Sequence, residues 1–450
     1  MSNERKIYKP RPVTGFPEWL PEVRLVEQQW FDHIRKVFES YGFCSIETPS
    51  VEELDVLRAK GEVDKEIYVI ERLHKDDNDK SESRLALHFD QTVPLARYVA
   101  QNFNDLVFPF KRYQMQRVWR GERPQAGRFR EFYQCDIDVI GVDNLPLHFD
   151  AEMPAIIWEI LTALPGMESE KIQMQISNRK ILTGFLDALG ISDPAPVTRA
   201  IDKLEKTGKA EMVAALQRAG LTQDQYTKVL ELASLKETNA QALVERTKQF
   251  SVANETFRAG VEELAFVLEN LQHLPQGAIV ADLSIVRGLD YYTGIVYETR
   301  FIDDPTYGSI CSGGRYDDLA GSYISKHLPG VGISIGFSRL FERILKKGSL
   351  PAGQKSPAHI MVVMPSEERR AEASRAAQAL RQRGLNVELY HAAKKIPDQL
   401  KYASRKGIPF VWFIEDGGTH QVKDMGTGAQ VPADLKTWTP PDRKALDEVA

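Results

Sequence analysis

The 450-residue chain contains little cysteine and has no long apolar run. Cys44, Cys135 and Cys311 lie far apart, and none belongs to a CxxC motif or to a Cys/His pair with metal-binding spacing. This pattern favours reduced thiols and argues against a structural metal ion. No apolar stretch approaches the about 20 residues that a helix needs to cross a bilayer. The N-terminal sequence MSNERKIYKPRPV also lacks the apolar segment of a secretory signal. We therefore expect a cytoplasmic protein without membrane contact.

The composition is that of an ordinary soluble globular protein, with 42% hydrophobic and 27% charged residues. The length predicts roughly two to four domains. A formal net charge of −5 differs from the basic character expected of a nucleic-acid-binding protein. Because such binding depends on local patches of charge, the net value excludes no class of partner.

The stretch from Phe108 to Gly141 contains the clearest structural pattern in the chain. Residues 112–122 and 129–139 alternate in side-chain character, which is the signal of a β-strand. Residues 123–128 between them are polar and include Gly and Pro, so the pattern predicts an antiparallel hairpin.

Both predicted strands place polar side chains on one face. On the second strand this face carries Phe132, Gln134, Asp136 and Asp138. On the first strand it carries Gln114, Gln116, Val118, Arg120 and Glu122. Charges and amides are costly to bury in an apolar core. We therefore expect the two faces to meet a polar or polyanionic ligand or, more simply, water.

The motif Arg120-x-Glu122, followed by a loop that ends in GRF, resembles motif 2 of the class II aminoacyl-tRNA synthetases. The resemblance implies that Arg120 holds the α-phosphate of ATP and that Glu122 meets the adenine amino group. It also implies that Arg128 meets the γ-phosphate and that Phe132 lies against the adenine ring. The chemistry agrees, since arginine offers a charged donor fork to phosphate and an aromatic face suits a base. For this stretch alone, the alternative is a solvated hairpin with mixed charges.

Residues 22–41 have the apolar spacing of a helix, and a short strand that stops at Pro49 follows. This segment resembles motif 1, which forms the dimer interface in that family and therefore implies a homodimer. A helix packed within its own monomer explains these residues nearly as well.

Residues 84–99 predict a strand that runs into a helix near Pro94. Asp90 and Thr92 lie at the turn, where either could cap the helix. The tract resembles the histidine-binding turn of histidyl-tRNA synthetases, which implies that both residues contact the amino acid.

Residues 287–294, RGLDYYTG, resemble the signature of the histidyl-tRNA synthetases. The resemblance implies that Arg287 lies at the α-phosphate and carboxylate, and that Tyr291 and Tyr292 shape the imidazole pocket. Residues 312–317 continue the pattern as a Gly-rich loop that lines the pocket. A strand from Gly330 and a helix with Arg339 in its first turn resemble motif 3, which implies that Arg339 binds the γ-phosphate.

Residues 181–275 are helical in pattern, and strands alternate with helices from residue 359 to 414. The fold class that follows is α/β, with a class II synthetase-type antiparallel sheet core flanked by helices, a helical insertion and a C-terminal α/β anticodon-binding domain. The predicted domains are the core in two parts (1–180 and 276–347), the insertion (181–275), a linker (348–357) and the anticodon-binding domain (358–450). The insertion either clamps tRNA or stabilises the fold. In the last domain Lys401, Arg405 and Lys406 either contact tRNA or form a solvated helix face.

Taken together, the resemblances imply a histidine–tRNA ligase that uses L-histidine, ATP with substrate-bound Mg²⁺, and the histidine tRNA. Arg120 and Arg287 would act in catalysis on either side of the reacting phosphorus. The implied histidine-binding residues are Asp90, Thr92, Arg120, Gln134, Asp138, Arg287, Tyr291 and Tyr292. The alternative is a non-catalytic, synthetase-like regulatory or tRNA-sensing protein, which would be expected to lack some of these residues.

Overall fold

The computed structural model describes residues 8–58, 67–73, 84–202, 204–286, 292–318, 320–350 and 353–441. Contacts between residues divide the chain into two units. The first contains the described residues up to Pro17 and those from Ile34 to Gly348. The second contains Glu18–His33 and the described residues from Ser349 onwards.

Helix α1 (Pro21–Ser40) begins at a proline, which the first turn of a helix tolerates. Trp30, Ile34 and Phe38 recur every four residues along it and are fully buried. Trp30 and Ile34 belong to the apolar pattern from which the sequence predicted a helix over residues 22–41, and the helix is present.

Twelve strands are described in the first unit. They are β1 (Cys44–Ser45), β2 (Val51–Glu53), β3 (Val69–Ile70), β4 (Leu85–Leu87), β5 (Phe110–Trp119), β6 (Glu131–Ile140), β7 (Ile172–Asn178), β8 (Lys236–Glu237), β9 (Ile279–Asp282), β10 (Ile295–Phe301), β11 (Cys311–Tyr316) and β12 (Gly330–Ile335). Nine form one sheet in the order β1-β5-β6-β12-β11-β10-β7-β9-β8, and β2, β4 and β3 form a small second sheet. All neighbours from β5 to β7 in this order pair antiparallel.

Helix α1 contributes residues to both units, and the helices that belong wholly to the first unit flank the sheet or form the insertion. After α1 they are α2 (Leu54–Arg58), α3 (Thr92–Gln101), α4 (His148–Ala163), α5 (Arg179–Ala188), α6 (Ala195–Asp202), α7 (Leu204–Arg218), α8 (Gln223–Ala233), α9 (Ala240–Lys248), α10 (Glu255–Asn270) and α11 (Phe337–Lys347). Helices α5 to α10 lie between β7 and β9, where the helical insertion was predicted. Asn178, Asn239 and Asn254 begin three of these helices, and each accepts a hydrogen bond from a backbone N–H of the first turn.

Strands β5 and β6 form the predicted hairpin, but their polar face is largely buried. Gln114 and Gln116 are buried, as are Asp136 and Asp138. The expectation of a face open to ligand or water was therefore wrong for the part of this surface that Gln114 and Gln116 form. The physical reason is internal hydrogen bonding, because Gln114 Nε2 donates to Thr48 Oγ1 at 3.0 Å and Gln116 Nε2 donates to the Thr48 carbonyl at 2.8 Å.

The C-terminal part of the second unit alternates strands and helices as predicted. Its elements are β13 (Ile360–Val362), α12 (Arg370–Gln382), β14 (Val387–Leu389), α13 (Ile396–Lys406), β15 (Phe410–Ile414), β16 (His420–Asp424) and β17 (Gln430–Pro432). The sheet order is β14-β13-β15-β16-β17, in which the first three strands are parallel. The antiparallel pair of β16 and β17 was not predicted.

Within the described ranges, no helix combines the length and the apolar character that crossing a membrane requires.

Candidate active site

The connection between β5 and β6 positions the first candidate residue. Arg120 directly follows β5, and its backbone N–H donates to the Arg130 carbonyl at 2.9 Å across the hairpin. Its side-chain Nε donates to the Phe89 carbonyl at 3.1 Å, and its guanidinium carbon lies 5.2 Å from the centre of the Phe132 ring. Arg120 is thus held in place from two sides.

A cavity of about 260 Å³ opens beside this connection. Six predicted site residues line it, namely Arg120, Glu122, Arg128, Phe132, Gln134 and Arg339. Among the described residues, its wall contains three arginines and one carboxylate, and Arg128 pairs with that carboxylate at 3.2 Å. A cavity with excess positive charge and an aromatic ring suits a nucleoside polyphosphate.

Helix α11 brings the third arginine to this cavity. Arg339 lies in the first turn of α11, where the helix end carries partial positive charge. Its guanidinium donates to the Tyr307 carbonyl and lies 5.0 Å from the centre of that ring, and the Tyr307 hydroxyl donates to the Arg339 carbonyl at 2.7 Å. The Gly127 backbone N–H donates to Glu342 Oε2 of the same helix at 2.7 Å, so the hairpin loop and α11 are joined.

A second, smaller cavity of about 30 Å³ adjoins the first on the same sheet. Both cavities contact Ser312 and Ser334. The small cavity is also lined by the predicted residues Thr92, Asp138 and Tyr292 and by Asp136 and Tyr316. Its volume is about the share of one water molecule in the liquid. A ligand larger than a water molecule would therefore extend from it into the larger cavity.

Gly332 provides part of the floor of the small cavity, and Gly314 pairs with it on the neighbouring strand. A Cβ atom on Gly332 would lie 2.0 Å from Asp138 Oδ1, and one on Gly314 would lie 2.8 Å from the Tyr292 ring. Residues 312–317 were predicted as a loop, but most of them belong to β11. The prediction was wrong because Gly313 and Gly314 belong to a paired strand, in which they permit the close approach of neighbouring groups and do not form a turn.

Asp138 forms a buried ion pair on this floor. Its Oδ2 lies 2.5 Å from the Arg112 guanidinium, and the Tyr316 hydroxyl donates to its Oδ1 at 3.0 Å. Burial raises the pKa of Asp138 to about 6, although Arg112 and the Tyr316 hydroxyl counteract this shift.

Asp136 lies next to this pair and is only 5% exposed. Burial raises the pKa of Asp136 to about 7, Arg112 and the Ser334 hydroxyl lower it, and the charges of Asp138 and Asp90 raise it further. Its Oδ1 has no hydrogen-bond partner among the residues that the structure describes.

Two family models together match nearly the whole chain. A model described as histidyl-tRNA synthetase matches residues 15–340, and one described as an anticodon-binding domain matches residues 359–437. The chain belongs to the histidyl-tRNA synthetase family.

Individual relatives agree with this assignment to the family. A histidine–tRNA ligase of Thermobifida fusca is 55% identical over 439 residues, which cover 97% of the chain and 99% of that protein. A histidine–tRNA ligase of Micrococcus luteus is 46% identical over 453 residues, covering 97% and 98%. A crystal structure of histidyl-tRNA synthetase from Nostoc sp. matches with a TM-score of 0.85 and 39% identity, and the match covers 99% of each chain.

The comparisons confirm three predictions from the sequence. These are the family, the fold class, and the prediction that the chain is an enzyme, namely an aminoacyl-tRNA synthetase, which is a ligase. Identity that extends over the whole chain also favours the catalytic reading over the regulatory alternative. The assignment of roles to individual site residues stays a prediction.

The structure brings most of the predicted site residues together at the two cavities. Asp90 lines neither cavity. Its side chain accepts a hydrogen bond from the Val93 backbone N–H at 3.1 Å in the first turn of α3, although Gln91 occupies the N-cap position of that helix. Arg287 and Tyr291 lie outside the described residues.

Sequence reasoning missed Arg112 as a site residue and did not select Asp136. Arg112 is fully buried, which is uncommon for an arginine. The signal was present, because Arg112 continues the two-residue period of Gln114 and Gln116 along the polar face. Asp136 was placed on that face but matched no motif residue.

In the part of the chain that the structure describes, no three His, Cys, Asp or Glu side chains are grouped to hold a metal ion. The expectation of no structural metal stays a prediction.

Proposed function

We propose that this chain joins L-histidine to the 3′ end of its tRNA in two steps. First, the carboxylate of histidine attacks the α-phosphorus of ATP, and pyrophosphate leaves. Then the terminal ribose hydroxyl of the tRNA takes the histidyl group, and AMP leaves. The observation that carries the proposal is the pair of adjoining cavities, one rich in arginine and the other in carboxylates, within a chain of this family.

The larger cavity would hold ATP. Arg120 would bind the α-phosphate, and Arg128 and Arg339 would bind the departing pyrophosphate. Glu122 and Phe132 would meet the adenine amino group and ring. All five line one cavity, which supports these roles. Magnesium would enter as the ATP complex and neutralise phosphate charge.

The smaller cavity would hold the amino acid. Asp138 and Asp90 would pair with its α-ammonium, while Thr92 and Gln134 would contact its other polar atoms. The resemblance adds Arg287 at the carboxylate and the tyrosines at 291 and 292 around the imidazole ring. The substrate carboxylate is already ionised at pH 7, so the first step needs no general base. Catalysis would consist mainly of positioning and charge stabilisation.

The anticodon-binding domain, residues 358–450, would hold the tRNA. Lys401 and Arg405 are exposed on α13, which favours them as phosphate contacts. Lys406 instead pairs with Glu388 at 3.0 Å, so we assign it to the stability of the domain.

We further propose a homodimer that forms through α1 and β1, the segment that resembles motif 1, and that works in the cytoplasm. Residues 1–180 and 276–347 would form the catalytic core, residues 181–275 the insertion and residues 348–357 the linker. Sedimentation of the purified chain tests the dimer, and a monomer at micromolar concentration would refute it.

Amino-acid-dependent exchange of pyrophosphate into ATP tests the activity directly. With each of the twenty amino acids supplied in turn, we expect exchange with histidine and little with the others. Arg120→Ala should lower the rate about 10²–10³-fold, as removal of one preorganised donor does in other enzymes. An intact, folded chain without exchange would support the regulatory alternative, whereas exchange with another amino acid would refute the substrate.

A further inference from the structure

Asp136, on the polar face of β6, has no role in the function proposed above. Gln134 and Asp138 are both assigned to the amino acid, and Asp136 lies between them on the same face. We propose that Asp136 also contacts the substrate, with its free carboxylate oxygen accepting a hydrogen bond from a nitrogen-bound hydrogen of the histidine. This inference rests on the proposed function of the site.

The register of the sheet places Asp136 on the path of the ligand. Asp136 pairs with Gln114 of β5 and with Ser334 of β12, and Ser334 lines both cavities. Same-face residues of a strand are spaced by about 7 Å. A ligand that reaches from Gln134 towards Asp138 therefore passes over Asp136.

The hydrogen bonds of the two aspartates differ. Both oxygens of Asp138 already have protein partners, Arg112 and the Tyr316 hydroxyl. Asp136 Oδ1 is buried without a partner among the described side chains and backbone groups, although the residue lines the cavity. An unsatisfied buried acceptor costs free energy, which a donor on the ligand would recover.

The balance of charge favours a ligand that carries N–H donors or positive charge. The charge of Asp90 raises the pKa of both Asp136 and Asp138, and Arg112 is the described cation that lowers both. Cys311 and Tyr292 also face Asp136, and its charge helps to raise the pKa of each. Histidine offers N–H donors on its ammonium and on its ring, and either could meet Asp136.

The test compares Asp136→Asn with the wild-type chain in histidine-dependent exchange. Asparagine keeps the shape and removes the charge. We expect the KM for histidine to rise about 10- to 100-fold, while the KM for ATP stays within about two-fold. Asp136→Ser introduces a smaller, uncharged side chain and should also raise the KM for histidine. It replaces Asp136→Asn in the test if that variant does not fold.

Asp282→Asn is the matched control, because Asp282 is a fully buried aspartate of the same sheet that pairs with Lys236 at 2.7 Å and lines neither cavity. The Asp282→Asn variant should have a lower midpoint temperature of thermal unfolding and an unchanged KM for histidine.

Inhibition by 3-(imidazol-4-yl)propionate, which lacks the ammonium group of histidine, shows whether Asp136 contacts the ammonium or the ring N–H. Equal loss of affinity for histidine and for this inhibitor assigns Asp136 to the ring, and loss for histidine alone assigns it to the ammonium. Either result supports the contact. A folded variant with an unchanged KM for histidine, or with equal losses for histidine and ATP, would overturn it. Failure of the proposed function is distinct, since the wild-type chain would then show no histidine-dependent exchange.

Discussion

Arg112 and Asp138 lie directly opposite each other on β5 and β6, and their side chains form an ion pair 2.5 Å long that is almost completely buried. Asp136, the next residue on the same face, also interacts with this arginine. One guanidinium therefore opposes two buried carboxylates at the place where the amino acid is proposed to bind.

Replacing Arg112 with methionine should strongly destabilise the chain, because two buried carboxylates would lose their cation. Removing one partner of a buried pair typically costs about 3–5 kcal/mol, which urea unfolding at pH 8 would measure. A carboxylate whose pKa is raised by folding stabilises the fold at low pH, and this contribution is lost as the pH rises through the folded pKa. In the intact protein the folded-state pKa is about 7 for Asp136 and about 6 for Asp138.

Without Arg112 both values should rise further, so the destabilisation should be smaller at pH 5 than at pH 8. The double variant Arg112→Met with Asp138→Asn should recover part of the stability, because the two positions are in contact. Equal destabilisation at both pH values would refute this explanation.

Asp138→Asn should raise the KM for histidine and hardly change the KM for ATP. Breaking a desolvated charged contact on one side costs roughly 2–5 kcal/mol. The adenine end of the strand at Phe132 is six residues, or about 20 Å, away. Steady-state exchange with each substrate varied in turn measures both constants. Loss of ATP binding with histidine binding intact would mean that the strand runs the opposite way across the site.

The affinity for histidine should fall as the pH is lowered from 8 to 6. The reason is that Asp136 and Asp138, with pKa values raised to about 7 and about 6, would take up protons and lose negative charge. The KM for ATP over the same range provides the control. In Asp136→Asn the fall should begin at lower pH, because only Asp138 of the two still titrates. A pH profile that is identical in the two proteins would exclude Asp136 as the titrating group.

Charge reversal on α13 should separate the two steps of the reaction. Lys401→Glu together with Arg405→Glu should weaken charging of the tRNA and leave pyrophosphate exchange unchanged, because only the second step uses tRNA. Arg375→Glu on α12 is an exposed control that should have little effect. The dependence of tRNA binding on salt should also become less steep in the double variant, since fewer phosphate contacts are made. Unchanged charging would refute the assignment of α13.

The sequence was sufficient to predict the β5–β6 hairpin and α13, and to select five residues that line one cavity, whose roles in binding ATP stay predictions. These features depend on local periodicity and on motif spacing, which a single sequence contains. The ion pair of Arg112 with Asp138 could not be foreseen in the same way, because it depends on the register between two strands. The pair of β16 and β17 was missed because polar residues such as His420 and Asp424 give it a weak strand pattern.

The sheet order also determines when the site can form during synthesis. Asp136 pairs with Ser334, and the residues of the whole insertion are made between them. At typical rates of translation, this interval lasts about 10–40 s. Until β12 emerges from the ribosome, β6 is an edge strand, and edge strands tend to pair with other chains. Charged side chains that point inward oppose such pairing. Asp136 and Asp138 on β6 would therefore protect the nascent chain from aggregation before the substrate-binding site has formed.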